Sequence, residues 1–366
     1  MGQNFLLVAP HCRERQIWSG KLGEMLFDRS ASSIVSFFAR PIIPMKFEGK
    51  NSTTRPPEKS TSQKQLIPQK RPRQSSNPVR MPTSRLVQLP NEIHNIIIDF
   101  LDIQSVFLLG LSCWHFWVLA RPVIASHFAG YLGPWAGTPV ICVGDESDED
   151  GKYPDGLLST EDLDELVEGL DVEELEDGMR EEYANKPVNL YSIANARYAP
   201  IAEIDTGFPH DLFGLALDIR RMWPNPADII RIANPEPLSF YPRSEEWVLR
   251  NLTTHEFVRP SAIALDQKYI CGPFIKGLGY GEVILSKVCW STNDFTSVAG
   301  EPLNQGAWAG HALDIVPATY LDDKNPWKDI SDEIAHEMAE IWRSEYGENW
   351  RNDLVKKMEN YSWVHY

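Results

Sequence analysis

The stretch Leu89-Pro90-Asn91-Glu92-Ile93-His94-Asn95-Ile96-Ile97-Ile98-Asp99-Phe100-Leu101 decides how this chain of 366 residues is read. Ile93, Ile96, Ile97, Phe100 and Leu101 recur at the i, i+3, i+4, i+7, i+8 spacing of a helix buried along one face. Pro90 suits the first turn of that helix, where a missing N–H costs nothing. Ser105 then precedes a second apolar block, Val106 to Leu111. A third block, Ser112 to Leu119, is dense in Trp114, Phe116 and Trp117, and Arg121-Pro122 is expected to stop it. Three short helices joined by tight turns make a unit too small to close its own core, so it should lean on something else. Ile103 to Ala120 runs 18 residues without Asp, Glu, Lys or Arg. That is short of the roughly 20 apolar residues of a membrane span, so no membrane helix is expected.

Upstream of this unit the composition collapses. Residues 48–82 hold four hydrophobic residues, no aromatics, six prolines and eight Lys/Arg against Glu48 and Glu58. They cannot bury enough apolar surface to offset a chain entropy of about 1–2 kcal/mol per residue. Residues 46–85 therefore read as a disordered basic linker. Lys70-Arg71-Pro72-Arg73 within it reads as plain solvated linker, or as a nuclear address or nucleic-acid contact. Residues 1–45 read as an ordered segment, with runs at Phe5–Val8, Ile17-Trp18 and Ile34–Phe38, packing on the C-terminal domain. The first run is too short for a secretory core, and Leu6 stands where a myristoylation signal wants Ser or Thr. The N-x-S/T triplets at Asn51, Asn251 and Asn360 are then chance matches.

Downstream, residues 131–366 read as a mixed, mainly antiparallel α+β domain. Expected strands are Thr138–Val143, a hairpin of Trp247–Asn251 with Glu256–Arg259, Gly281–Trp290 and Ala307–Val316. Asp329 or Ser331 should cap a helix whose stripe is Ile334, Met338, Ile341, Trp342 and Tyr346, closed by Gly347, with a second helix over Asn352 to Glu359. The net charge of −16 has a single source: residues 145–182 hold 18 carboxylates against Lys152 and Arg180, and the rest of the chain balances. This acidic insertion contains one helix capped by Ser159 and Asp162, with Leu163, Leu166, Val167 and Leu170 on one face. Ser147, inside Asp145-Glu146-Ser147-Asp148-Glu149-Asp150, is a possible phosphosite for an acidophilic kinase. The insertion should attract the basic linker or basic proteins, and not nucleic acid.

Catalytic signatures fail. His336-Glu337-Met338-Ala339-Glu340 begins like a metalloprotease helix but lacks the second imidazole, and Glu333 with His336 gives only one E-x-x-H. Gly277-Leu278-Gly279-Tyr280-Gly281 resembles a phosphate loop, yet the strand expected after it offers no helix N-terminus, so it reads as a hairpin turn. There is no G-x-S-x-G elbow, and Cys113 and Cys271 lack a nucleophile signature. The five cysteines contain no C-x-x-C pair, which suits a reducing compartment. No catalytic residue, cofactor or metal is expected. Nine of the twelve tryptophans follow residue 130; they read as packed core, or as a substrate surface at Trp247, Trp290, Trp308 and His311.

The helical unit itself resembles a known family. Leu89, Pro90, Glu92, Ile93, Ile97, Leu101, Val106, Leu109, Leu111, Cys113 and Phe116 fall without a gap into the pattern of the F-box, over residues 87–124. Ser105, Ser112 and Trp114 depart from the residues usual at their positions. The C-terminal part is similar to large fungal F-box-like families, through Trp135-Ala136-Gly137 with Cys142-Val143-Gly144-Asp145, Tyr153-Pro154-Asp155-Gly156-Leu157, Trp247–Asn251 and Trp308-Ala309-Gly310-His311. The resemblance implies an F-box at residues 86–130 whose Leu89, Pro90, Glu92, Ile93, Ile97, Leu101, Val106, Leu109, Cys113 and Phe116 dock the Skp-family adaptor of a cullin ubiquitin ligase. It implies a non-catalytic substrate receptor in an SCF complex, cytoplasmic and/or nuclear, whose C-terminal domain binds an unknown protein target for degradation. Two rivals stand beside it: a scaffold that binds the adaptor without cullin, and an enzyme with a site among Trp247, His255, Trp290, Trp308 and His311.

Overall fold

The computed structural model describes residues 2–28, 31–43, 84–147, 153–175, 181–201, 208, 212–219, 226–300, 303–322 and 326–360. Most of the basic linker, with Lys70–Arg73, lies outside these residues, as do 148–152 and 176–180 of the acidic insertion. The chain forms two compact units, residues 43–127 and residues 1–42 together with 128–366.

Along the chain, the first elements are β1 (Asn4–Ala9), β2 (Glu14–Gln16), β3 (Gly20–Lys21), α1 (Leu22–Phe27) and α2 (Ala31–Phe38). The smaller unit follows with α3 (Asn91–Asp99), α4 (Ile103–Ser112) and α5 (Trp114–Ala129). Then come β4 (Ile141–Gly144), α6 (Thr160–Glu168), α7 (Leu190–Arg197), β5 (Ala199–Ile201), α8 (Phe213–Ile219) and α9 (Pro226–Ala233). The hairpin β6 (Trp247–Asn251) and β7 (Glu256–Val258) leads to α10 (Pro260–Ile263), β8 (Ile270–Cys271), β9 (Phe274–Ile275), α11 (Tyr280–Val288) and β10 (Cys289–Trp290). The last are β11 (Leu313–Pro317), β12 (Lys328–Asp329), α12 (Ser331–Tyr346) and α13 (Trp350–Asn360). The fold class is α+β, and among the described residues no helix is long and apolar enough to cross a membrane.

In the larger unit β1 is the keystone. It pairs antiparallel with β2, β3 and β4, while β10 joins β4 and β5 joins β2 in parallel, giving the order β10-β4-β1-β2-β5. Phe5 to Ala9 are buried on both faces of this sheet, which explains their unbroken apolar run. The N-terminal segment is thus an inner strand of the larger unit. A second sheet, β11-β6-β7-β12, is antiparallel except for its last pair, and Leu313 lies opposite Asn251. Asn251 Oδ1 accepts the N–H groups of Thr253 and Thr254 at 3.0 and 3.2 Å, which tightens the hairpin.

Several expected elements change. Gly281–Trp290 is a strand only at its last two residues, β10: residues 280–288 are helix α11, whose Val283, Ile284, Leu285 and Val288 are all buried. Gly281 allows α11 to meet α2, since a Cβ there would lie 1.8 Å from the Ala31 carbonyl oxygen. The strand expected over Ala307–Val316 begins only at Leu313, after a turn through Trp308-Ala309-Gly310. Pro122 does not stop the third helix, which runs on to Ala129. On α6, Leu166 is buried and Leu170 follows it into the core, but Leu163 and Val167 face outward.

Candidate functional site

In the smaller unit the helices pack around Val106, Phe107, Phe116 and Trp117, all buried, with the Phe107 and Trp117 rings edge to face at 6.1 Å. Gly110 lets α4 and α5 approach, because a Cβ there would lie 2.8 Å from that of Ala120. Asp102 caps α4, accepting the Ser105 N–H at 2.8 Å and its hydroxyl at 3.0 Å. That backbone hydrogen bond from Ser105 holds the Asp102 carboxyl below its ordinary value.

The first helix does the opposite of what its spacing predicts. Its buried positions are His94 and Ile98, while Ile93, Ile96 and Phe100 are exposed, Phe100 by 87%. With Leu86 and Leu89 on the preceding turn, they make an apolar face open to solvent. Exposed apolar patches of this kind mark interaction sites. Trp114 of α5, Leu108 of α4 and Val118 are exposed as well.

His94 fixes the start of that face. Its Nε2 lies 2.7 Å from the Leu86 carbonyl oxygen, which only accepts, so Nε2 carries the proton. Its Nδ1 lies 3.2 Å from His115 Nε2, so the two imidazoles meet directly. Through this relay α5 holds α3, and α3 holds the turn that presents Leu86 and Leu89.

Of the expected adaptor-docking residues, Leu89, Pro90, Glu92 and Ile93 are exposed together at the start of α3. Ile97, Leu101, Leu109 and Cys113 are half-buried. Val106 and Phe116 are not available for docking: both are buried, and they hold the unit together. The expected set leaves out Leu86, Ile96 and Phe100. The same helical repeat marks the last two, and Leu86 lies three residues before Leu89.

The expected aromatic surface of the larger unit does not form. Trp247 and Trp308 are core residues, and Trp247 Nε1 donates to the Pro242 carbonyl at 3.0 Å. Trp290 is half-buried against the cluster of Leu6, Val143 and Leu157. His311 accepts from Asn251 Nδ2 at 2.9 Å, and burial lowers its pKa. His255 is exposed and tilted against Trp327, 5.4 Å between centroids.

Ser147 is also withdrawn from the surface. It is buried, its hydroxyl donating to Ser291 Oγ at 3.2 Å and its carbonyl accepting from Asn189 at 3.1 Å. A kinase would find no free hydroxyl there, so the phosphosite is not supported. The Gly277–Gly281 loop does open onto a helix, but the chain's own Glu282 fills that terminus, accepting the Gly279 N–H at 2.9 Å. Burial pushes the Glu282 carboxyl up to about 7. Cys142 and Cys289, paired across parallel strands, are buried thiols; burial raises both, Cys289 to about 12, which leaves them poor nucleophiles. Among the described residues no three His, Cys, Asp or Glu gather as a metal cluster.

No family model matches the chain, and neither a curated protein nor a solved structure is significantly similar to it.

Proposed function

We propose that the helical unit is an F-box-like docking module for a Skp-family adaptor, and that the larger unit is the receptor half of a ubiquitin-ligase subunit. The observation that carries this reading is the apolar face of Leu86, Leu89, Ile93, Ile96 and Phe100, which repeats like a core stripe yet is turned to solvent. A second support is the F-box pattern over residues 87–124, whose Leu89 and Ile93 lie on that face. The chain itself would do no chemistry: it would raise the effective concentration of a target's lysines near a conjugating enzyme held by the cullin.

Full-length chain co-expressed with a Skp-family adaptor and a cullin tests the reading. Leu89→Ala combined with Pro90→Ala removes exposed apolar contact worth about 2 kcal/mol or more once buried, which is more than tenfold in affinity. Loss of adaptor from the double variant is the expected result. Co-precipitation at wild-type levels overturns the module, and adaptor without cullin leaves a scaffold in place of a ligase subunit.

A further inference from the structure

Helix α6 is fastened on one side and unused on the other. Leu166 and Leu170 lie in a buried cluster with Leu6, Val143, Ile193 and Tyr198. Ser159 Oγ accepts the Asp162 N–H at 3.1 Å, while Asp162 Oδ2 accepts the Ser159 N–H at 2.9 Å, which caps the helix. Arg13 reaches Asp162 at 3.4 Å and Glu165 at 3.1 Å, and Arg197 reaches Glu165 at 3.5 Å and Glu174 at 2.6 Å. These pairs commit both arginines to the inner carboxylates.

The outward half carries two lanes. Leu163 and Val167, one turn apart, are 48% and 68% exposed. Beside them Glu161, Asp164 and Glu168 repeat at i, i+3 and i+7, all exposed, and Glu173 follows beyond the helix end. Among the described residues none of these four carboxylates makes an ion pair. A solvated acidic helix has no use for an apolar lane, and an ordinary apolar contact has no use for a row of unpaired acids.

We infer that this face of α6 docks a basic amphipathic helix of another protein, apolar residues against Leu163 and Val167 and Lys/Arg against the acidic lane. A second copy of the chain would set acid against acid, and a nucleic acid or anionic membrane would be repelled. The apolar lane supplies burial, and the acidic lane supplies orientation and speed of encounter. The inference concerns the larger unit and does not depend on adaptor docking by the smaller one.

The test titrates full-length chain into a labelled helical peptide with Leu on one face and Lys on the other, in about 0.15 M salt, where the Debye length is about 8 Å. Leu163→Ser with Val167→Ser should weaken binding roughly tenfold, about 1.4 kcal/mol. Glu161→Gln, Asp164→Gln and Glu168→Gln together should do the same, and they serve alone where the serine pair lowers the melting temperature. A peptide of equal charge with its leucines scattered should also bind roughly tenfold more weakly, at the same constant. Wild-type affinity in either variant overturns the assignment, and so does equal binding of the scattered peptide, which would reduce the face to a diffuse charge. Binding that appears only after the eight basic residues of 48–82 are replaced by Gln would mean that the chain's own segment covers the face, and it overturns the assignment to a separate protein.

Discussion

Helix α3 of the smaller unit and helix α12 of the larger one carry the same kind of apolar repeat and put it to opposite uses. On α12, Ile334, Met338 and Trp342 are buried, and Trp342 meets the Phe27 ring edge to face at 4.9 Å. On α3, Ile93, Ile96 and Phe100 look into solvent, and the buried positions are His94 and Ile98 beside them. Periodicity therefore locates a stripe but not its destination. The destination depends on whether the rest of the unit has surface left to cover it. A unit of three helices runs out, whereas two sheets with helices on them do not.

The strongest way to break this comparison is to truncate both stripes. Trp342→Ala should cost about 3–5 kcal/mol, as large aromatic deletions in cores do. Phe100→Ser should change stability by less than about 0.5 kcal/mol, as surface substitutions do. Thermal melts followed by circular dichroism check both. Equal losses would mean that the α3 face is covered in solution.

Next in size is Gly281→Ala. A Cβ placed 1.8 Å from the Ala31 carbonyl oxygen meets backbone, which cannot rotate away as a side chain would. Separating α11 from α2 should cost about 1–3 kcal/mol or more, read as a lower melting temperature. An unchanged melt would show that the two helices are not in close contact.

These two helices also show where the sequence was legible. The α12 stripe is readable because that helix has one wet face and one dry face, and the β6–β7 hairpin because the polar Thr253-Thr254 turn separates its two runs, although β6 itself is buried almost throughout. Helix α11 was not, because Val283, Ile284, Leu285 and Val288 are buried all round and a short unbroken apolar run fits a strand equally well. The site was half legible. Leu89, Ile93, Ile96 and Phe100 of the exposed face are marked by spacing or by likeness to the F-box and Leu86 by neither, and read from spacing alone the face points inward. Ser147 looks solvated in the sequence because it stands in a run of acids, while its hydroxyl is spent on Ser291 inside a buried polar cluster. Trp247 and Trp308 were open to either reading, since a tryptophan in a core and one in a groove look alike in sequence.

A third, smaller effect lies in the buried carboxyl of Glu282. Its pKa is raised by burial to about 7 from an ordinary 4.5, so the folded state holds a proton that the unfolded chain has released. Its contribution is fully present below pH 4.5 and is lost as pH rises through 7. Glu282→Gln keeps an acceptor for the Gly279 N–H and removes the titration. Stability of the wild type should therefore fall between pH 4.5 and 7 more steeply than that of the variant, by roughly 1 kcal/mol or more over the window. Parallel curves would show that Glu282 is ionised in the fold at no cost.

The smallest expected effect comes from the acidic insertion and has the opposite sign. Arg197 donates to Glu174 at 2.6 and 2.7 Å, and this hydrogen-bonded pairing holds the Glu174 carboxyl down to about 2 from 4.5. A depressed carboxylate stabilises the fold fully above its unfolded pKa and loses that contribution as pH falls through the folded one. The window is therefore pH 4.5 down to 2, below the Glu282 window. Glu174 is a quarter exposed, and water screens the pair, so the whole contribution should be about 0.5–1 kcal/mol. Glu174→Gln should lose about that much at neutral pH and nothing further on acidification, while the wild type converges on it near pH 2. Moderate salt should shrink the difference, as it does for exposed pairs. A gap that persists undiminished at pH 2 would show that Glu174 acts through its packing and backbone contacts, and that the segment between α6 and α7 is not held by charge.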